Sequence, residues 1–247
     1  MKYSSFAYYY DEMMEDVSYE TWVSKIGEYL PKGSSVLDVG CGTGNVSLGL
    51  ARSGYDVTGV DLSEDMLVVA SEKARTSSLG VEFVLQDMRE LSGFSGYDGV
   101  VICVDSLNYL ETSEEIIRTF ENVHASLADG GIFVFDVHSM YKMTEVWSDY
   151  LYVDNDEDLA YIWYVSVVED VRGAVSHELT FFRRLESGSY ERIVEVHHQR
   201  TFEISDYLAW LDGVGFDVLE VSGDFREGDV ASDADRVVFV ARKKVDV

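Results

Sequence analysis

From residue 35 onward, short apolar runs alternate with longer stretches in which apolar positions recur every three or four residues. That is the signature of strands alternating with amphipathic helices. The first strand reads as Ser35–Val39, followed by a helix over about 43–53 that Gly54 breaks. A second strand, 55–60, ends on Asp61, and Ser63 can cap the next helix, with Glu64 and Asp65 suited to its positive end. A third strand, 81–85, runs into Gln86-Asp87-Met88, and a fourth, 97–104, into Asp105, Asn108 and Tyr109. Ser113 reads as the cap of the following helix, Ile116, Phe120, Val123 and Leu127 as its buried stripe, and Gly130-Gly131 as its stop. The fifth strand, 132–137, is apolar almost throughout, as expected of a strand covered on both faces. Five such units predict a right-handed doubly wound sheet.

At His138 the pattern changes. Three strand-like runs, 159–168, 174–184 and 190–202, are separated by turn sequences at 169–173 and 186–189, which predicts a small antiparallel insertion over 139–202. In the third run, period-two parity places Glu195, His197 and Gln199 on one face and His198 and Arg200 on the other. Val194 and Val196 share the even-numbered face, which is therefore expected to pack. The odd-numbered face is either solvent-facing or the roof of a cavity. Tyr161, Trp163, His177 and Phe181 are expected in the core of the insertion. A helix near 205–211, stopped by Gly213 and Gly215, precedes strands at 216–221 and 236–241. No crossover helix fits between these two, so they should form an antiparallel hairpin at the sheet edge. Ahead of all this, residues 1–34 form an aromatic, acidic segment. It contains Tyr3, Phe6, Tyr8, Tyr9 and Tyr10, then a helix marked by Tyr19, Trp22, Ile26 and Leu30, which Pro31-Lys32-Gly33 stops. The tyrosines either pack on the sheet edge or form a flap over a ligand, with Tyr10 the leading candidate for the flap.

With 46 acidic and 19 basic residues in 247, the formal charge is -27. Such a chain repels phosphate backbones, and no basic patch offsets this, so nucleic acid is excluded as the expected partner. Solubility accounts for most of the acidity; the field also weakly favours a cationic ligand over an anionic one. Two cysteines, Cys41 and Cys103, make neither a disulfide framework nor a metal-ligand set. Neither a signal peptide nor a long apolar run is evident, so a cytoplasmic chain with no membrane partner is expected.

Candidate chemistry gathers at the carboxyl ends of the strands, where Asp38, Asp61, Asp87 and Asp105 each place a carboxylate. The turn Gly40-Cys41-Gly42-Thr43-Gly44 looks like a nucleotide-binding loop, but the third glycine of a dinucleotide fingerprint is replaced by Asn45. A phosphate-cradling lysine is missing too, and Asp38 would repel a pyrophosphate. A cationic cofactor without phosphates fits instead. Asp61 could take both ribose hydroxyls and Asp87 an adenine amino group, with Leu62, Met66 and Met88 around the ring.

The stretch Leu37-Asp38-Val39-Gly40-Cys41-Gly42-Thr43-Gly44 resembles the first motif of class I S-adenosylmethionine-dependent methyltransferases. The likeness extends to Gly59-Val60-Asp61-Leu62-Ser63, to Met66-Leu67, to Gln86-Asp87-Met88 and to Gly130-Gly131. Phe6-Ala7, Tyr10-Asp11, Phe135-Asp136-Val137-His138-Ser139 and Glu195, His197, Gln199-Arg200 resemble a bacterial, small-molecule-type subgroup. This resemblance implies a Rossmann-like α/β fold: a seven-stranded sheet whose last strand is antiparallel, built from 35–138 and 203–247. The N-terminal cap and the 139–202 insertion would cover the substrate. It implies S-adenosylmethionine as cofactor and S-adenosylhomocysteine as product. The cofactor site would comprise Tyr10, Asp38, Gly40, Cys41, Gly42, Asp61, Leu62, Met66, Gln86, Asp87, Met88, Val104 and Asp105. Tyr109 and His138 would lie nearest a small-molecule nitrogen or oxygen acceptor, methylated by in-line displacement, in a monomer or homodimer without a metal. Alternatives are a non-catalytic sensor or interaction module that binds the same cofactor, and a protein methyltransferase.

Overall fold

Successive strand residues point to opposite faces, and here both faces are buried under helices. The computed structural model describes residues 6–14, 16–226 and 228–245, so Tyr3 and the side chains of Phe6 and Tyr8 lie outside the described residues. The main sheet comprises β1 (Ser35–Val39), β2 (Asp56–Asp61), β3 (Glu82–Leu85), β4 (Tyr97–Ile102), β5 (Leu127–His138), β10 (Phe216–Gly223) and β11 (Arg236–Lys243). Its order is β10-β11-β5-β4-β1-β2-β3, and β11 alone runs antiparallel to its neighbours. Leu37, Val39, Phe133 and Phe135 turn to one face, against α5 (Ser113–Ser126) and α6 (Ile204–Val214). Val36, Ile132 and Val134 turn to the other, against α2 (Tyr19–Gly27) and α3 (Asn45–Arg52). Ser63 caps α4 (Glu64–Thr76) as expected, its hydroxyl accepting the Met66 amide at 3.3 Å. The switch in strand order lies between β1 and β4, so their carboxyl ends open a crevice there.

A second sheet, order β6-β7-β8-β9, is wholly antiparallel. Its strands are β6 (Asp149–Asn155), β7 (Leu159–Val167), β8 (Ala174–Arg184) and β9 (Tyr190–Arg200). The sequence pattern missed β6, an edge strand whose residues are nearly all exposed and which therefore carries no burial signature. Both connections to the main sheet meet at Asn108. Its Nδ2 donates to the Arg200 carbonyl (2.8 Å) and its Oδ1 accepts from the His138 amide (2.9 Å). Thr201 Oγ1 also donates to the His138 carbonyl at 2.6 Å, which ties the exit strand to the entry strand.

Several local expectations need correction. Thr112, not Ser113, caps α5, in a capping box with Glu115. That helix ends at Ser126, well before Gly130-Gly131, because β5 already begins at Leu127. Gly213 lies inside α6, and Gly215 alone supplies the left-handed C-cap (φ 105°). The even-numbered face of β9 does not pack: Val194 and Val196 are 40% and 53% exposed, whereas Gln199 is 4% exposed. The odd-numbered face is the inner one. Across the outer face Leu151 pairs with Tyr164 and Val153 with Ile162, all exposed.

Candidate active site

The glycine loop is bent by need. Gly40, Gly42 and Gly44 all have positive φ, and a Cβ on Gly40 would lie 2.8 Å from Ser106 Cβ. Gly44, left-handed at φ 79°, opens α3. Asp38 sits under the loop, 1% exposed, with Ser47 Oγ donating to Oδ2 at 2.5 Å. Burial, aided by neighbouring Asp61, pushes the Asp38 carboxyl up to about 7. Asp61 accepts from the Gly42 amide (2.7 Å) and the Ser63 amide (2.8 Å), and burial raises its carboxyl even against these bonds. Cys41 is buried, which pushes its thiol up and fits a space-filling role.

Among the described residues, neutral donors alone hold Asp38 and Asp61. Nearby cations are otherwise engaged: Lys73 with Asp11, Arg89 with Asp87 and Glu115, Arg236 with Asp105 and Asp136. Two adjacent, desolvated carboxylates without a counter-charge call for a cation, and the sulfonium and ammonium of S-adenosylmethionine would supply it. Leu62, 65% exposed beside Asp61, leaves an open apolar surface for a ring, and Met66 and Met88 are partly buried. The residues present fit this cofactor.

Two expected contacts sit differently. Asp87 accepts a bidentate bond from Arg89 (Nη2 at 2.6 Å), which holds its carboxyl below the usual range. Gln86 exchanges hydrogen bonds with the backbone of Ser92 (3.2 and 3.0 Å). An adenine amino group would have to share Asp87 with Arg89.

The far side of the crevice follows from strain. Val104 and Asp105 have φ 56° and 53°, left-handed values unfavourable for a β-branched residue. Asp136, 1% exposed on β5, accepts both of their amides, at 2.8 and 3.0 Å. It also accepts Trp22 Nε1 at 2.7 Å and pairs with Arg236. The turn aims the Asp105 carboxylate at three donors: Arg236 Nη2 (2.9 Å), Gln199 Nε2 (3.1 Å) and His138 Nε2 (3.3 Å). Burial alone would raise Asp105, but His138 and Arg236 outweigh it and hold the carboxyl well below its ordinary range. For His138, 3% exposed, burial outweighs Asp105 and lowers the imidazole pKa, so the ring is neutral near pH 7. Its Nε2 faces Asp105, and its buried Nδ1 has no hydrogen-bond partner among the described residues.

Tyr109 exposes 48% of its surface, yet burial, Asp105 and Asp61 push its phenol well up. A ring both accessible and surrounded by protein lines a cleft. Tyr10 is raised too, by burial and by Asp105, with Tyr109 and Asp11 contributing, so it faces the same space. Tyr10 belongs to α1 (Phe6–Met13), which Asp11 fastens to the glycine loop through Thr43 Oγ1 (2.6 Å), Asn45 Nδ2 (3.0 Å) and Lys73 Nζ (2.8 Å). On its other side Tyr9 packs on Phe181 (6.1 Å between centroids). The roof descends from β9, where His197 meets Tyr109 edge-on at 5.9 Å. Sequence reading missed Asp11, Asp136 and Arg236 as site residues. Asp136 stood in view within the Phe135–Ser139 motif, but its side-chain partners, Trp22 and Arg236, lie about a hundred residues away in the chain.

A family model described as a methyltransferase domain matches residues 36–131. A putative methyltransferase of Geobacillus sp. (strain WCH70) is 45% identical over 98% of this chain and 100% of its own length. A solved S-adenosylmethionine-dependent methyltransferase from Clostridium acetobutylicum superposes with a TM-score of 0.86 at 27% identity, covering 98% of this chain and 99% of the other. The S-adenosylmethionine-bound amino pentose methyltransferase of Micromonospora echinaspora shares the fold, with a TM-score of 0.75 at 21% identity, over 96% of each chain.

Proposed function

The chain belongs to the class I S-adenosylmethionine-dependent methyltransferases, and on that premise we propose that it methylates a nitrogen or oxygen of a small molecule enclosed beneath β9. The observation that carries this reading is the His138–Asp105 dyad: an imidazole lowered by burial, fixed at Nε2 by a carboxylate 3.3 Å away and unpartnered at Nδ1 among the described residues. When bound, S-adenosylmethionine supplies a methyl carbon already activated by the sulfonium. The protein's tasks are then alignment, exclusion of water and handling of one proton. Asp38 and Asp61 compensate the positive charge. Tyr10 and Tyr109, both beside Asp105, would help exclude water from the crevice. Asp105 sets the tautomer of His138, so that the Nδ1 lone pair can take the proton an amine or hydroxyl sheds as it is methylated. A roof that brings β9 against Tyr109 and α1 against the glycine loop suits a small acceptor better than a folded protein. The Micromonospora protein is an amino pentose methyltransferase, which is consistent with such an acceptor.

The test uses cell extract split by a small-pore membrane, with S-adenosylhomocysteine formation as the readout. Turnover supported by the small-molecule filtrate is expected. Turnover confined to the retained proteins would refute the small-acceptor reading, and none with either fraction would favour a cofactor-binding module. With the acceptor in hand, His138→Gln should lower kcat by about 10²- to 10⁴-fold while leaving cofactor affinity intact. Unchanged kcat would remove the base.

A further inference from the structure

The β insertion does more than cover the cleft. Trp163 on β7 donates its Nε1 hydrogen to His177 Nδ1 at 3.1 Å. Because an indole N–H only donates, His177 Nδ1 must be the unprotonated nitrogen, and the ring proton sits on Nε2. His177 Nε2 lies 3.1 Å from Gln199 Oε1 on β9, so the imidazole donates to the amide oxygen. That fixes the amide orientation, and Gln199 Nε2 donates to Asp105 Oδ2 at 3.1 Å. The same carboxylate oxygen faces His138 Nε2. Every bond runs in one direction, from an indole that can only give to a carboxylate that can only receive. His177 and Gln199 are 5% and 4% exposed, so water does not compete for these groups.

The geometry points to Gln199 and His177 as positioning residues of the methyl-transfer reaction: through Asp105 Oδ2 they fix the orientation and proton affinity of His138. This rests on the reading of His138 as the base. Asp105 receives Gln199 from the insertion and Arg236 from β11 on separate oxygens, which locks the carboxylate in the plane that His138 meets. Without the Gln199 donor, the carboxylate would turn more of its negative charge toward His138 and stabilise the imidazolium. The charged and titratable groups facing His138 are Asp105 beyond β4, Arg236 on β11, Lys142 in the segment after β5, and His177 on β8. Those facing His177 are His138, Asp105 and His197; burial first, then His138, lowers its pKa to about 4, so the ring is neutral near pH 7 and the relay keeps its polarity there.

The test is imidazole 15N NMR on the full-length protein with S-adenosylmethionine bound, which needs no acceptor. Five histidines make the assignment tractable by single substitution. In the unsubstituted protein both His138 and His177 should carry their proton on Nε2. Gln199→Leu should raise the His138 titration midpoint by about one pH unit, the size of effect expected from a neighbouring carboxylate freed of a donor. Trp163→Phe, which keeps an aromatic ring in the cluster and removes the donor, should leave His177 a mixture of tautomers and covers the case in which Gln199→Leu fails to fold. Once an acceptor is known, the acid limb of kcat/KM should move with the NMR midpoint, with KM little changed. The inference is overturned if His177 is protonated on Nδ1, or if neither substitution moves the His138 tautomer or midpoint. Full activity in His138→Gln would instead refute the base while leaving the NMR result standing, so the two failures are distinguishable.

Discussion

At the scale of single residues, the proposed cofactor site would use Asp61 for the ribose hydroxyls and Asp38 for the positive end of S-adenosylmethionine. Asp61 is held by two backbone amides, so its position does not depend on the ligand. Hydrogen bonds to a charged group contribute about 1.5–3 kcal/mol each, so Asp61→Ala should weaken S-adenosylmethionine roughly 10- to 150-fold by calorimetry. Asp38 gives a pH signature. Its folded carboxyl titrates at about 7 against an ordinary value of 3.8, so the native state binds the extra proton and stability falls as pH rises from about 4 to about 7. A bound cation reverses the preference and favours the carboxylate. Affinity for S-adenosylmethionine should therefore climb with pH up to about 7, with proton release, then level off. Asp38→Asn should flatten that climb. A pH-independent affinity in the unsubstituted protein would disconnect Asp38 from the cofactor.

At the scale of elements, the β4 turn shows how strain is held in place. Two consecutive left-handed residues cost on the order of 1–3 kcal/mol each, and Asp136 offsets this by receiving both of their amides. Asp136→Ala would free those amides and also leave Arg236 buried without one of its two carboxylates. A loss of roughly 3–5 kcal/mol in urea unfolding is expected, and Asp136→Ala combined with Arg236→Met should recover part of it, because the stranded charge is gone. Additive losses would show that the pair is not coupled. Much of this scale was legible in the sequence: the glycine loop, the strand-end acids, the antiparallel closing hairpin and the insertion turns all follow from spacing within a few residues. What escaped has a common physical cause. β6 lacks an alternating pattern because only Tyr150 on it is partly covered, and Thr112 caps α5 in place of Ser113 in a capping box with Glu115. The latch of α1 joins Asp11 to Thr43, Asn45 and Lys73, and local periodicity carries no trace of contacts that distant.

For the whole molecule, the charge of -27 acts on cofactor choice as a field, separately from any contact. S-adenosylmethionine carries one more positive charge than S-adenosylhomocysteine, so the field of an acidic protein favours the methyl donor over the spent product. Salt separates the field from the contacts, because exposed charges are screened over about 8 Å at physiological ionic strength while Asp38 and Asp61, desolvated at the crevice, are screened far less. Raising salt from about 0.05 M to about 0.5 M should weaken S-adenosylmethionine by a few-fold and leave S-adenosylhomocysteine nearly unchanged, so the affinity ratio of the two falls. The same salt should raise the melting temperature of the unliganded protein, since it relieves repulsion among acidic side chains that exceed the basic ones by 27. Both effects have one cause and should appear over the same range of ionic strength. A ratio that holds constant while the melting temperature rises would assign donor selection wholly to Asp38 and Asp61 and leave the surface charge to solubility.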